Sequence, residues 1–265
     1  MGKDREDDLR DSREPMPNLK ERAIFKTGQA AKICVSIAAA EEDAIISEAS
    51  SSLQASADMI EWRADAYRRA GELPALSRVL NELRRKAPDM PLLFTYRTAD
   101  EGGEGSATPE VYKEVNKAAI DSGCIDLIDI QLFSEPDVAE ELIDYAHSKG
   151  VAVVASYHDF EGTPSADEIY KLFEKPQGSE ADIIKIAVMS EDEEAVERLL
   201  EASTKVRENF PDCPIIAIAM GEAGMISRIE AERFGSCIIY AAGSKKTAPG
   251  QLDADELRRI RSERI

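Results

Sequence analysis

The sequence predicts a single (β/α)8 barrel. Eight short apolar runs of strand length alternate strictly with eight segments of helical periodicity. The alternation fills most of a 265-residue chain, a length that suits one barrel. No Gly-x-Gly-x-x-Gly follows the first strand, which makes a doubly wound open sheet the weaker alternative. Strict alternation implies parallel strands joined by helical crossovers.

The first unit pairs a strand at 33–38 with a helix at 41–52, and the second a strand at 57–63 with a helix at 76–86. In the third, a strand at 91–97 precedes a helix at 111–122, opened by Thr108 as N-cap and Pro109 in the first turn. The fourth runs from a strand at 125–132 to a helix at 137–149, stopped by Gly150. In the fifth, a strand at 151–156 leads to a helix at 166–174, where Ser165 and Glu168 have capping-box spacing. The sixth has a strand at 183–188 and a helix at 192–209, with Ser190 and Glu193 at the same spacing. The seventh joins a strand at 214–219 to a helix at 225–234 that ends at Gly235, and the eighth a strand at 236–241 to a helix at 254–261. Residues 1–15 carry ten charged side chains and almost no large apolar group, so they read as a disordered tail ahead of one catalytic domain at 16–265. Within that domain, residues 18–32 are expected to form a hairpin capping the bottom of the barrel.

Hydrophobic residues make up 43% and charged residues 32%, a globular composition. The net charge of −19 argues against a nucleic-acid partner. It also requires local cations to hold any anionic substrate. No apolar run reaches the roughly 18–20 residues of a membrane span, and no signal-peptide pattern opens the chain. Cys34, Cys124, Cys213 and Cys237 lie far apart without a CxxC, as reduced thiols do. Two histidines and scattered cysteines supply no metal-ligand cluster. A cytoplasmic, membrane-free enzyme without metal is the expectation.

The chemistry centres on Lys185, an ammonium inside the apolar run 183–189. Away from water and without a partner the charge is costly, which favours the free amine, a nucleophile toward ketones and aldehydes. The alternative from this run alone is an ammonium that reaches out to solvent or a charge guarding an edge strand. Barrel active sites lie at the carboxyl ends of the strands, and reactive side chains collect there. Ser36 falls on strand 1, Glu61 and Arg63 on strand 2, Arg97 and Glu101 after strand 3, and His158 at strand 5. Met220 and Arg228 follow strand 7, Tyr240 is on strand 8, and residues 243–251 form a loop containing Thr247 and Gln251. Glu61 and Arg63, two apart on a strand, share a face and could simply pair with each other. His158 beyond a strand end suits a general acid/base, whereas His147 in the last turn of a helix suits a terminal charge or hydrogen-bond donor.

From Ile33 to the C-terminus the sequence resembles the type I 3-dehydroquinases. The segments that carry the likeness are Glu61-Trp62-Arg63-x-Asp65, Phe94-Thr95-x-Arg97-x-x-x-Glu101-Gly102-Gly103, Ser156-Tyr157-His158-Asp159-Phe160, Lys185-Ile186-Ala187-Val188-Met189, Ile226-Ser227-Arg228 and Ala248-Pro249-Gly250-Gln251. The resemblance implies dehydration of 3-dehydroquinate, a small-molecule substrate, with no cofactor and with assembly as a homodimer. It implies Lys185 as the imine-forming amine, His158 as the acid/base and Glu101 as the carboxylate that positions it. Arg228 is implied to receive the substrate carboxylate, while Ser36, Glu61, Arg63, Arg97, Met220, Tyr240, Thr247 and Gln251 bind the remainder. One departure stands at strand 4, where a second acidic residue of the family is replaced in Asp129-Ile130-Gln131. A class I aldolase also uses a strand-6 lysine but needs a phosphate cradle near strands 7 and 8. A catalytically silent ligand-binding barrel would have no need of both Lys185 and His158.

Overall fold

The structure, a computed structural model, describes residues 29–105, 108–132, 136–175, 181–243 and 246–263. The expected tail at 1–15, and residues 18–28 of the expected hairpin, lie outside them. Each apolar run forms a strand: β1 (Lys32–Ile37), β2 (Met59–Arg63), β3 (Leu92–Thr95), β4 (Leu127–Gln131), β5 (Ala152–Asp159), β6 (Ile183–Met189), β7 (Ile215–Met220) and β8 (Ile238–Ala242). All pair in parallel, in the order β7-β6-β5-β4-β3-β2-β1-β8. The β1–β8 ladder brings the last strand round to the first, so the sheet curls into the expected (β/α)8 barrel.

The strands are apolar on both faces because both faces are covered. Cys34, Met59, Leu93, Leu127, Val154, Ile183, Ile216 and Ile238 fill the barrel's interior. Alternate residues, such as Ile60, Phe94, Ile128 and Val153, pack outward against the helices. Each such buried aliphatic or aromatic side chain contributes about 1.5–3 kcal/mol. The crossovers are α1 (Glu42–Gln54), α2 (Leu73–Lys86), α3 (Pro109–Asp121), α4 (Pro136–Ser148), α5 (Ala166–Glu174), α6 (Glu193–Asn209) and α7 (Ile226–Ile229), and α8 (Ala254–Ser262) follows the last strand. Helix α2 shows why they form: Leu76, Val79, Leu80 and Leu83 recur every three or four residues and make one buried stripe. No helix among the described residues is long and apolar enough to cross a membrane.

The start signals hold at two helices and shift at a third. Thr108 accepts from the Val111 amide, and Ser165 and Glu168 form the full capping box. Helix α6 is capped by Asp192, which accepts from the Ala195 N–H at 2.8 Å. Ser190 is too early for that role, because β6 runs on to Met189; it is buried beside the Thr163 hydroxyl instead. His147, at the end of α4, bonds through Nε2 to Asp182 at 2.8 Å.

The helix expected at 225–234 is corrected to the single turn α7. Ala231 belongs to the core cluster beneath α8, whereas Phe234 belongs to the one between α5, α6 and β7. Residues three apart share one face of an α-helix and cannot serve two clusters on different sides. The chain therefore leaves the helix at Glu230 (φ −108°, ψ 42°) and reaches Gly235, at φ +75°, through turns.

Side chains take over part of the seam between β7 and β8. A single bridge joins Ile215 to Ser236, with the Cys237 amide bonding to the Ile215 carbonyl at 2.9 Å. Further along, the Ser236 hydroxyl accepts from the Ala217 amide (2.9 Å) and donates to the Ala217 carbonyl (3.2 Å). The Ser227 hydroxyl then accepts from the Ala219 amide (3.1 Å), and the Ala219 carbonyl accepts from Arg228 Nη1 (3.0 Å).

At the opposite end of the barrel a buried Arg84 staples α2 to β3 and β4. It donates to the carbonyls of Cys124, Ala87, Pro88 and Met90 and pairs with Asp126, which also accepts from the Leu92 amide. Arg84→Met would leave an unpaired buried carboxylate and orphaned carbonyls. The expected loss is about 3–5 kcal/mol, read as a lower urea midpoint at unchanged slope.

Candidate active site

The site arises from a change of residue type at fixed strand parity. Inward positions are apolar low in the barrel and turn polar toward the carboxyl ends. Cys34 gives way to Ser36, Met59 to Glu61 and Arg63, Leu93 to Thr95, Leu127 to Asp129 and Gln131, Val154 to Ser156 and His158, and Ile183 to Lys185. Because the side-chain period of a strand is two, these groups converge in a polar layer above the apolar core, two side chains deep where a strand contributes twice.

Asp129 joins that layer together. Its Oδ1 accepts from Arg97 Nη2 (2.7 Å) and from the Ser156 hydroxyl (2.6 Å), and its Oδ2 lies 3.3 Å from Lys185 Nζ. Burial alone would raise this carboxyl, but the Arg97 and Lys185 cations and the Ser156 bond outweigh it and hold it below the usual range. Lys185, at 4% exposure, is thus buried as expected but has a partner, contrary to the expectation of an unpaired ammonium. The reason is spatial: β4 and β6 flank β5, so their inward side chains at the same height meet across it. Nζ also lies 4.2 Å from the centre of the Tyr240 ring, a cation–π contact.

The possible Glu61–Arg63 pair does not form. Glu61 accepts from Ser36 Oγ (2.6 Å) and Thr95 Oγ1 (2.9 Å), whereas Arg63 forks onto Asp65 through Nε (2.8 Å) and Nη2 (2.7 Å). Planar bidentate pairing suits a guanidinium opposite a carboxylate, and Asp65 lies where both donors reach.

His158, expected beyond the strand end, lies within β5, because pairing with β6 continues to Asp159. It sits one inward position above Ser156, the residue paired with Lys185 on the neighbouring strand. Its Nδ1 is 2.9 Å from Glu101 Oε2, which also accepts from Arg97 Nη1 at 2.8 Å. As a carboxylate Glu101 can only accept, so it holds the proton on Nδ1 and leaves Nε2 as the basic nitrogen. Burial, followed by the nearby Arg97, Lys185 and Arg63 cations, pushes the imidazole well below its usual value. Burial, together with the Asp129 charge, pushes Glu101 up against the pull of Arg97. Gln131 grips the loop carrying Glu101: Oε1 accepts from the Thr98 amide and Nε2 donates to Thr98 Oγ1, each at 2.9 Å. An acid there could not make the second bond as a donor, so the amide at this position has a role of its own.

Arg228 enters through the β7–β8 seam. It is 2% exposed and donates to the carbonyls of Ala219 (3.0 Å) and Pro249 (3.2 Å), and its Nε is unpaired. No carboxylate among the described residues faces it, and burial lowers it to about 10. A cation so placed is ready to receive an anion. The last loop packs over it at Gly250, where a Cβ would stand 2.3 Å from the Gly221 carbonyl, and Gln251 ties the loop by accepting from the Thr247 amide (2.7 Å). Ser244 and Lys245 of that loop lie outside the described residues.

Lys185, His158, Glu101, Glu61, Arg63, Arg97, Met220, Arg228, Tyr240, Thr247 and Gln251 all line one cavity at this end of the barrel. A sequence model of the type I 3-dehydroquinases matches residues 33–264. The chain belongs to the type I 3-dehydroquinase family. It is 42% identical over 237 residues to the 3-dehydroquinate dehydratase of Escherichia coli O6:K15:H31 (strain 536 / UPEC), covering 89% of this chain and 94% of that one. The Clostridium difficile type I 3-dehydroquinate dehydratase, crystallised with covalently modified comenic acid, superposes with a TM-score of 0.85 at 39% identity, covering 89% and 93%. The Geobacillus kaustophilus 3-dehydroquinate dehydratase gives 0.85 at 31% identity, covering 89% and 91%.

Of the twelve residues expected at a type I 3-dehydroquinase site, Ser36 alone stays off the cavity wall; its hydroxyl donates to Glu61, which is on it. Asp129, Asp65 and Phe160 were not among the twelve. Asp129 could have been found, because it interrupts an apolar strand just as Lys185 does. Phe160 falls in a segment that carries the resemblance, but its place at the site comes from the structure, where it is a large apolar side chain left 39% exposed beside the cavity.

Proposed function

We propose that this chain is a type I 3-dehydroquinate dehydratase of the shikimate pathway, converting 3-dehydroquinate to 3-dehydroshikimate through an imine on Lys185. The observation that carries this reading is one cavity lined by a buried lysine, a histidine on the neighbouring strand and an arginine with no acid partner among the described residues. Arg228 holds the substrate's carboxylate, which answers the repulsion expected from a charge of −19. The free amine of Lys185 adds to the ketone, and the ketone oxygen leaves as water, forming a C=N bond. Once the imine nitrogen has taken up one proton from solvent, the Asp129 carboxylate steadies the resulting cation.

The imine draws electrons from the adjacent carbon, so His158 Nε2 can take a proton there. The hydroxyl on the next carbon departs as the double bond forms, and the same imidazole returns its proton to make water. Hydrolysis of the imine then frees product and lysine, leaving a net loss of one water. Glu61, Arg63, Arg97, Met220, Tyr240, Thr247 and Gln251 hold the ring and its hydroxyls. Covalent modification of the comenic acid bound to the Clostridium difficile relative supports a site of covalent reactivity. Cytoplasmic residence and assembly as a homodimer complete the proposal.

Mixing purified protein with 3-dehydroquinate tests the reading. An ultraviolet absorbance rise from the newly conjugated ketone is expected; a flat trace from folded protein would overturn it.

A further inference from the structure

Asp65 is fully buried and fully used. Each carboxylate oxygen takes one guanidinium donor and one backbone amide. Oδ1 accepts from Arg63 Nε (2.8 Å) and the Arg97 N–H (3.2 Å), and Oδ2 from Arg63 Nη2 (2.7 Å) and the Glu104 N–H (3.0 Å). The two amides stand at the neck of one loop. Between them the chain closes on itself, with Gly105 N–H on the Arg97 carbonyl and Gly103 N–H on the Thr98 carbonyl. The turn Ala99–Glu101 sits inside this ring and aims Glu101 at His158. Gly102, at φ +74°, and Gly103, where a Cβ would lie 2.0 Å from the Arg97 carbonyl, show how tightly the ring is drawn. Gln131 grips the same loop from β4.

We propose that Asp65 is a positioning residue for proton transfer: it clasps both ends of the segment 97–104, fixing Glu101 against His158, while aiming Arg63 into the cavity. This inference rests on the dehydratase reading. Asp65 touches no reacting atom; its effect on proton transfer passes through Glu101 and its effect on substrate binding through Arg63, so at saturating substrate imine formation on Lys185 does not depend on it. Asparagine at this position would turn one oxygen into a donor facing two donors, and would open the clasp without changing side-chain size.

The test compares turnover with borohydride trapping of substrate on Lys185, by mass spectrometry, in the parent and Asp65→Asn. The expected result is a fall in kcat of about 10–100-fold with the adduct still formed. Parent-like kcat in the folded variant would overturn the inference, as would trapping and kcat falling together. If Asp65→Asn does not fold, Asp65→Glu applies the same criterion, since it keeps the charge and displaces both oxygens. A parent that yields neither adduct nor product would sink the dehydratase reading itself, a result distinct from either of these.

Discussion

Lys185→Met is expected to abolish turnover, by on the order of 10⁴–10⁶-fold, the scale seen when a nucleophile is removed from a cooperating set. The variant should fold. Asp129 keeps Arg97 and Ser156 as partners, and methionine fills similar space on a strand whose other inward neighbours are apolar. The hydrogen-bonded layer above the core therefore survives, and only the amine is lost. With substrate and borohydride, the parent should gain a stable adduct on Lys185 and the variant none. Turnover within tenfold of the parent, or an adduct on another lysine, would remove covalent catalysis at this position.

His158→Ala is expected to leave the adduct intact and to lower kcat by about 10²–10⁴-fold, the usual share of a positioned acid/base. The two variants thus separate bond formation to nitrogen from proton transfer at carbon. The pH dependence follows from the surroundings of the imidazole. Burial and the Arg97, Lys185 and Arg63 cations disfavour its protonated form, and the base works only unprotonated. Activity should therefore persist as pH falls through the ordinary value of 6.5 and decline only below it. The same shift acts on folding. Below 6.5 the unfolded chain takes up a proton that the native imidazole refuses, so this group's contribution favours the native state above 6.5 and turns against it as pH falls. An acid limb of kcat/KM at or above 6.5 would contradict the described surroundings.

The barrel was legible because its signal is local. Apolar runs and amphipathic stripes such as Leu76–Val79–Leu80–Leu83 depend on residues a few positions apart. The periodicity at 225–234 is real, but its apolar residues serve two core clusters, which only the assembled barrel distinguishes, so the helix stops after one turn. At the site, Lys185 stood out as a charge in an apolar run, and the resemblance supplied its companions. The pairing did not stand out. Nothing in the spacing tells Arg63 to prefer Asp65 over Glu61, or gives Lys185 the carboxylate of Asp129 two strands away. Those choices depend on heights within a closed cylinder, which strand register sets and sequence separation conceals.

The imperfect seam between β7 and β8 carries a consequence of its own. Had the two edges been laced along their whole length, the Ala219 carbonyl would be spent on a neighbouring backbone and no guanidinium could lodge between the staves. Two serine hydroxyls keep the gap from fraying while Arg228 occupies its upper end. The proposed receptor for the anion is thus also a missing stitch of the wall, and a mutation that drew the rim tighter would evict the cation it frames.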